Sequence, residues 1–273
     1  MMTSINTNVG ALNARASAVR ATTGMEQAME RLSSGLRVNS AADDAAGLSV
    51  AGKMESQLRG INMSIRNAQD GVGLIQTAES GVNEIRNMVL RMRELAVQMA
   101  NGIYEDTPDR NNAQLEVTAL INQVTLIAEN TRFNDVALLD GSFTTVNIQA
   151  GNTTAETIEL SFVDMASSGL SIDSVSIATQ SNATSALGTL DSALETIASE
   201  QATMGSLINR LNFSINNQSK ASVMTEQAVG RIMDSDFATE TTNLSKQQIL
   251  NQAATSMLAQ ANQSKQSILA LLQ

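Results

Sequence analysis

The chain has no cysteine, no histidine and no tryptophan, and its 273 residues include one proline, one tyrosine and five phenylalanines. Without cysteine there is no disulfide framework, thiolate zinc site or thiol nucleophile; without histidine the commonest general base and metal ligand is missing. A conventional hydrolase or metalloenzyme is not expected, and no cofactor is implied. Average usage would give about 5% proline, so helix breakers are nearly absent and helices are free to run long. With so few aromatics, the core must be built from Leu, Ile, Val, Met and Ala. The many alanines predict helices that approach closely. No stretch reaches the ~20 apolar residues of a membrane span. The N-terminus has no charge before Arg15 and no continuous apolar run, which does not read as a cleaved secretory signal. If the protein leaves the cell, another route must carry it.

Positive charge is scarce where negative charge is dense. Of the net −10, residues 101–200 contribute two Lys/Arg against fourteen Asp/Glu, net −12, and the rest fifteen against thirteen, net +2. An acidic middle without basic patches argues against nucleic acid, and near-neutral ends point to contact with other protein.

What is present is helical periodicity. From Ala51 to Met99 apolar residues recur at steps of three and four: Ala51, Met54, Leu58, Ile61, Ile65, Ala68, Val72 and Ile75, then Ala78, Val82, Ile85, Val89, Met92, Ala96 and Met99. That pattern predicts a coiled-coil helix with one extra three-residue step at Ile75 to Ala78, where the coil should overwind. Such a helix would be roughly 70 Å long, whereas a compact globule of this chain length would be about 50 Å across. An elongated protein with partner helices along that seam is therefore expected.

The matching seam runs from Leu187 to Ile232 through Leu190, Leu194, Ile197, Met204, Ile208 and Leu211, so that Leu58, Ile61, Val82, Ile85, Leu190, Leu194, Ile208 and Leu211 are the expected core contacts. Polar Gln218, Ser222 and Thr225 weaken its far end. A shorter helix starting at Thr107-Pro108-Asp109, with a capping residue and proline in its first turn, carries Ala113, Val117, Leu120, Val124 and Ile127 and stops before Phe133-Asn134-Asp135. Between Val136 and Ile177 the period drops to two: Val146, Ile148 and Ala150, then Ile158, Leu160 and Phe162, flank Gly151-Asn152 and predict a small β-hairpin region.

Both ends are weaker. Ile5, Val9, Leu12, Ala16 and Val19 begin a first helix whose phase shifts near Thr22-Thr23-Gly24 before Met25, Met29, Leu32 and Leu36; Leu250, Ala254, Met257, Ala261, Ser264, Ile268 and Leu271 mark the last helix. Helices with so little apolar area are marginal alone, so the two ends are expected to need each other or another partner. Asp43 and Asp44 precede the long helix, where carboxylates cap free N–H groups; a paired-carboxylate metal site is the sharper alternative. The predicted fold is mainly α: an elongated antiparallel coiled-coil bundle with a β-hairpin region plus a two-helix terminal coiled coil. The expected parts are 1–43 and 234–273 as the halves of an inner helical domain, 44–135 as the N-terminal helices of a rod-like core, 136–180 as its hairpin region and 181–233 as its C-terminal long helix.

The motifs SINTNVGALNA, RLSSGLRVNSAADDAAGLSVA, NAQDGVGLIQTAESGVNEI, LRMRELAVQMAN, TRFND and QQILNQAATSMLAQANQSKQSILALL closely resemble the terminal regions of bacterial flagellin. The likeness covers about residues 2–140 and 187–273; the short middle resembles a minimal form lacking large outer domains. The resemblance implies a homopolymer, the extracellular flagellar filament, in which the first and last helices pair innermost through Ile5, Val9, Leu12, Val19, Leu250, Met257, Ile268 and Leu271. It implies unfolded export through the flagellar type III apparatus, contacts with filament cap and hook-junction proteins, and a secretion chaperone that binds the last helix. It also implies recognition by the Toll-like flagellin receptor of hosts through Arg91, Leu95 and Glu116, a surface that subunits would bury in the filament. Leu90 departs from that determinant, since a polar residue is usual there. Arg91 and Glu116 also read as an ordinary surface ion pair. Two other readings stand beside this one: a hook-filament junction adaptor of related fold, and the helical signalling hairpin of a chemoreceptor, which would have a helical tip in place of the alternating segment.

Overall fold

A computed structural model describes residues 7–143 and 145–270. Its elements in order are α1 (Val9–Ser34), α2 (Ala45–Met99), α3 (Asn111–Asn130), β1 (Arg132–Phe133), β2 (Val136–Ala137), β3 (Val146–Gln149), β4 (Thr157–Leu160), α4 (Gln180–Met233) and α5 (Phe237–Ala270). Among the described residues no helix is long and apolar enough to cross a membrane. The fold is mainly helical, and it packs as two units: Gln57–Val223, and residues 1–56 together with 224–273.

In Gln57–Val223 the core is a single cluster of aliphatic side chains from α2, α3, α4 and the segment that joins α3 to α4. Three hydrogen bonds fix how α2 and α4 run. Asn62 accepts from Ser222 at 3.2 Å, Asn83 from Gln201 at 2.7 Å, and Asp191 from Arg93 at 2.6 Å. Each step forward along α2 is matched by an equal step back along α4, so the helices are antiparallel in one unbroken register.

The buried row of α2 is Ile61, Ser64, Ala68, Gly71, Ile75, Ala78, Val82, Ile85, Val89, Met92, Ala96 and Met99. Its steps alternate three and four throughout. The extra step expected at Ile75 to Ala78 is therefore absent, and so is its reason for local overwinding. Ser64 and Gly71 occupy the seam where the larger Ile65 and Val72 were expected, and those two lie at its flank, half-buried. Ser64 satisfies its hydroxyl on the Ile61 carbonyl at 2.8 Å. At Gly71 an added Cβ would lie 3.3 Å from Ile148 and 3.4 Å from Leu211; the glycine lets β3 and α4 close on the same turn of α2.

The expected helix at Thr107 starts later. Thr107 is extended at φ −135°, ψ 119°, as the residue before a proline tends to be; residues 106–110 form a π-type turn and α3 begins at Asn111. Arg110 organises this turn. Buried to 3% exposure, its guanidinium donates to the carbonyls of Met99 at 2.9 Å and Asn101 at 2.8 Å, to that of Tyr104, and to the Asp106 carboxylate at 2.7 Å. A cation thus caps the carbonyl end of α2, where the helix dipole favours it.

Phe133-Asn134-Asp135 does more than stop α3. Asn134 and Asp135 take φ of 49° and 64°, the left-handed pair of a two-residue hairpin turn, and β1 pairs with β2 across it, Phe133 opposite Val136. The second hairpin pairs Val146 with Leu160 and Ile148 with Ile158. Its connection is longer than the Gly151-Asn152 turn expected: Ala150 donates to the Glu156 carbonyl at 3.0 Å. Beyond β4 the chain has no regular structure up to α4, yet Phe162, Met165, Leu170, Ile172, Val175 and Ile177 are buried, and Phe162 stacks on Phe143 with ring centroids 5.0 Å apart. The acidic middle therefore supplies a lid of the core, which its alternating pattern did not reveal.

In the other unit α1 and α5 pair along their length. Asn8 caps α1, accepting from the Ala11 N–H at 3.1 Å, and donates to the Ala261 carbonyl at 3.1 Å; Asn251 donates to Thr22 at 2.8 Å, and Arg31 to Glu240 at 3.2 Å. The helices are antiparallel. Gly35, in left-handed conformation at φ 72°, ends α1 by returning its N–H to Arg31. Leu36 then bridges to Asp234, and Arg37 donates to the Ile232 carbonyl at 2.7 Å, tying the exit of α1 to the turn before α5. Asp44 accepts from the Gly47 N–H at 2.8 Å, as a cap of α2, and Asp43 folds back on Ser40 at 3.0 Å. The N–H groups that bind Asp43 hold its carboxyl below the usual carboxylate range.

Candidate assembly surfaces

The α1/α5 pair meets through a row that is only partly the one expected: Met25, Leu32, Ala254 and Ala261 hold it as expected, and the rest differ. The contact row on α1 is Ala11, Ala14, Ala18, Ala21, Met25, Ala28 and Leu32, with Thr22, Gly24 and Arg31 half-buried at its flank; on α5 it is Glu240, Leu244, Gln247, Asn251, Ala254, Leu258, Ala261 and Lys265, with Thr241 at its flank. Both rows keep alternating steps of three and four, so α1 has no phase shift at Thr22-Thr23-Gly24. Alanine at the contact lets the helix axes come close, and the area buried per turn is small.

The large apolar residues expected on this seam face outward instead. Val9 is 60% exposed, Leu12 55%, Val19 59%, Leu250 46% and Met257 65%. Ile5 and Leu271 lie outside the described residues, as does the side chain of Ile268. The terminal helices thus pair through a seam to which α1 contributes mostly alanine, and Val9, Leu12, Val19, Leu250 and Met257 stay available to something else.

A second surface lies on α2 and α3. Arg91 donates to Glu116 at 2.9 Å and to Glu94 at 3.2 Å, and these carboxylates, Glu116 foremost, hold the guanidinium above its ordinary pKa. Both members of the pair are exposed. Leu95 is not: at 4% exposure it belongs to the core cluster, so it serves packing and is not an apolar anchor at the surface. The helical period explains this, because four residues after Arg91 the side chain has rotated toward the buried Met92 and Ala96. The exposed leucine beside the ion pair is Leu115, at 71%.

Of the expected core seam, Ile61, Val82, Ile85, Leu190 and Leu211 are buried, and Leu58, Leu194 and Ile208 are half-buried at its edges. Sequence reasoning missed three buried charges, of which Glu240 is paired with Arg31 at 3.2 Å. Arg110 stands as the lone cation between residues 101 and 131, a signal that could have found it. Glu200 occupies a seam position of α4 at 5% exposure; burial pushes its carboxyl pKa up, partly offset by the Val163 N–H, and one carboxylate oxygen has no hydrogen-bond partner.

Comparison with known proteins decides the family. Residues 5–144 match the bacterial flagellin N-terminal helical region, and residues 187–272 match the bacterial flagellin C-terminal helical region. The chain belongs to the bacterial flagellin family. It is 41% identical to a flagellin of Halalkalibacterium halodurans over 98% of this chain and 99% of that one, and 38% identical to a flagellar filament 33 kDa core protein of Treponema phagedenis over the same shares. Among solved structures, Bacillus cereus flagellin matches with a TM-score of 0.51 at 30% identity, covering 56% of this chain and 88% of that one. A putative flagellar hook-associated protein from Vibrio parahaemolyticus matches with a TM-score of 0.59, covering 70% of this chain and all of that one; at 13% identity the likeness is one of fold. As a flagellin this is a structural protein and not an enzyme.

Proposed function

We propose that this flagellin is the structural subunit of an extracellular flagellar filament, polymerising through its terminal helices. One observation carries the reading: α1 contributes mostly alanine to its contact with α5, with Met25, Leu32, Leu244 and Leu258 as the larger apolar members, while Val9, Leu12, Val19, Leu250 and Met257 stay exposed, which is apolar surface for neighbouring copies to bury. A thin intramolecular seam also suits export in an unfolded state through the flagellar type III apparatus, because little has to be undone before passage. The exposed Leu250 and Met257 stripe of α5 suits the groove of a secretion chaperone, and cap and hook-junction proteins would meet the same terminal helices at the filament ends.

Limited proteolysis tests this. Residues 2–40 and 238–273 should be cleaved readily in the monomer and protected once seeded polymerisation gives filaments visible by electron microscopy; equal protection in both states would overturn the reading.

Recognition by the Toll-like flagellin receptor is supported by the exposed Arg91–Glu116 pair, which offers charge-assisted hydrogen bonds, with Leu115 as the apolar contact in place of the buried Leu95. Arg91→Ala should abolish signalling in receptor-bearing cells, and unchanged signalling would remove the proposal.

A further inference from the structure

Asparagine is common in this chain, yet only Asn101 is followed by glycine. The pair lies in the turn after α2, and both residues are exposed. An asparagine carboxamide can be attacked at Cγ by the backbone nitrogen of the next residue, and glycine, having no Cβ, leaves that approach open. Two features of the turn suit the attack. The Ile103 N–H donates to the Asn101 side-chain oxygen at 3.3 Å, which polarises the carboxamide and faces the oxyanion that forms there. Among the described residues, neither the Gly102 N–H nor the Asn101 carboxamide nitrogen makes a hydrogen bond, so nucleophile and leaving group are both unengaged.

The two aspartate–glycine pairs, which can form the same imide, are held back. Asp70-Gly71 lies inside α2, where the Gly71 N–H belongs to the helix ladder. The Asp140 carboxylate accepts from the hydroxyl and the N–H of Ser142. These bonds hold its carboxyl below the usual carboxylate range, and an ionised carboxylate is a poor electrophile.

The other side of Asn101 faces a cation. Arg110, at 3% exposure, donates through Nη2 to the Asn101 main-chain carbonyl at 2.8 Å. We infer that Asn101-Gly102 is a site of spontaneous deamidation whose product Arg110 steers to isoaspartate. In the first step the Gly102 nitrogen loses its proton to solvent base and bonds to Cγ of Asn101; the carboxamide nitrogen takes up a proton and leaves as ammonia, closing a cyclic imide. In the second step water opens the ring. Attack at Cγ gives aspartate. Attack at the former main-chain carbonyl carbon breaks its bond to the Gly102 nitrogen, leaves a free carboxylate there and runs the chain through Cγ, which is isoaspartate. The Arg110 guanidinium already sits on the oxygen of that carbonyl, so it favours the second attack and then pairs with the carboxylate that results. A deamidated copy gains a negative charge in the turn that already holds Glu105, Asp106 and Asp109.

Trypsin isolates the site, because the peptide from Glu94 to Arg110 contains no other asparagine. The full chain is aged at mildly alkaline pH, digested, and read by mass spectrometry with electron-transfer fragmentation, which separates isoaspartate from aspartate. This peptide should exchange NH for O before any other asparagine peptide does. Its ratio of isoaspartate to aspartate should be higher than in the same chain aged unfolded in guanidinium chloride. Arg110→Met, with helix content checked by circular dichroism, should lower that ratio about threefold; the folded-against-unfolded comparison of the unmodified chain decides the matter if the variant does not fold. Gly102→Ala, whose added Cβ would lie 3.4 Å from the Gln180 side chain in ordinary contact, should slow the conversion about tenfold. An unaltered Asn101 in a chain whose other asparagines have converted would overturn the inference. So would an equal product ratio in the folded and unfolded chain, or an unchanged rate in Gly102→Ala.

Discussion

The two units bury different things. In Gln57–Val223 the seam of α2 and α4 is filled by Ile75, Ile85, Met92, Leu190, Ile197 and Met204, all fully buried, and the segment after β4 adds further aliphatic and aromatic side chains. In the α1/α5 unit the α1 side of the seam is mostly alanine, Met25, Leu32, Leu244 and Leu258 are its larger apolar members, and Val9, Leu12, Val19, Leu250 and Met257 stand outside it. A full aliphatic seam gives a unit that is stable by itself; an alanine seam lets helices pair while keeping most of their hydrophobic surface for a later partner. The difference teaches that coiled-coil regularity and stability are separate properties, since all of these helices keep the same alternation of steps.

That contrast breaks down if truncation in the two units has similar effects. Ile85→Ala should cost about 3–4 kcal/mol in urea unfolding of the monomer, through lost burial and a residual cavity. Leu12→Ala, at an exposed site, should change monomer unfolding by less than about 0.5 kcal/mol yet slow seeded polymerisation; an equal loss of monomer stability at both sites would mean that Leu12 already has a partner within the chain.

Arg110→Ala should be next in size, at about 2–3 kcal/mol, because it leaves the carbonyls of Met99, Asn101 and Tyr104 without their charged donor. Unfolding that starts at the 99–110 turn, seen as faster hydrogen exchange there than elsewhere in α2 and α3, would locate the loss. The alanine seam is probed by the opposite change. Ala28→Leu should cost about 2 kcal/mol through overpacking, read as faster exchange in α1 and α5 with the Gln57–Val223 unit unaffected.

A change of the opposite sign concerns Glu200. Its folded pKa is raised by burial, so ionisation opposes folding: the stability it permits is fully present below the unfolded carboxylate pKa and is lost as pH rises through the folded value. Glu200→Gln should therefore stabilise the protein by about 1 kcal/mol at neutral pH, a gain that shrinks toward pH 3. A constant gain across that range would show that charge is not the cause.

Much of the fold was legible in the sequence. The long antiparallel pair, the shorter third helix, the hairpin at Val146 to Leu160 and the cap at Asp44 follow from periodicity and from residues whose backbone or side-chain chemistry suits those places. Hydrophobicity alone misplaces part of the seam in α1, α5 and α2, each time for one reason. It assigns the large apolar residues to the contact, whereas Ala14, Ala21, Ser64 and Gly71 hold it and Val9, Leu12, Val19, Leu250 and Met257 face out. The apparent phase shifts near Gly24 and at Ile75 to Ala78 vanish once the small residues are counted. Leu95 departs in the other direction: the resemblance implies it as an anchor beside Arg91 and Glu116, whereas packing in the core buries it.

Sequence alone determined that this is a helical, flagellin-like chain, because a seven-residue period and local motifs are facts that no packing can change. Only the tertiary structure decided which face of each terminal helix is spent within the chain and where Arg110 and Glu200 are buried. Those outcomes depend on how closely two backbones approach, and that distance is set by the smallest residues at a contact, which hydrophobicity along the chain weighs least.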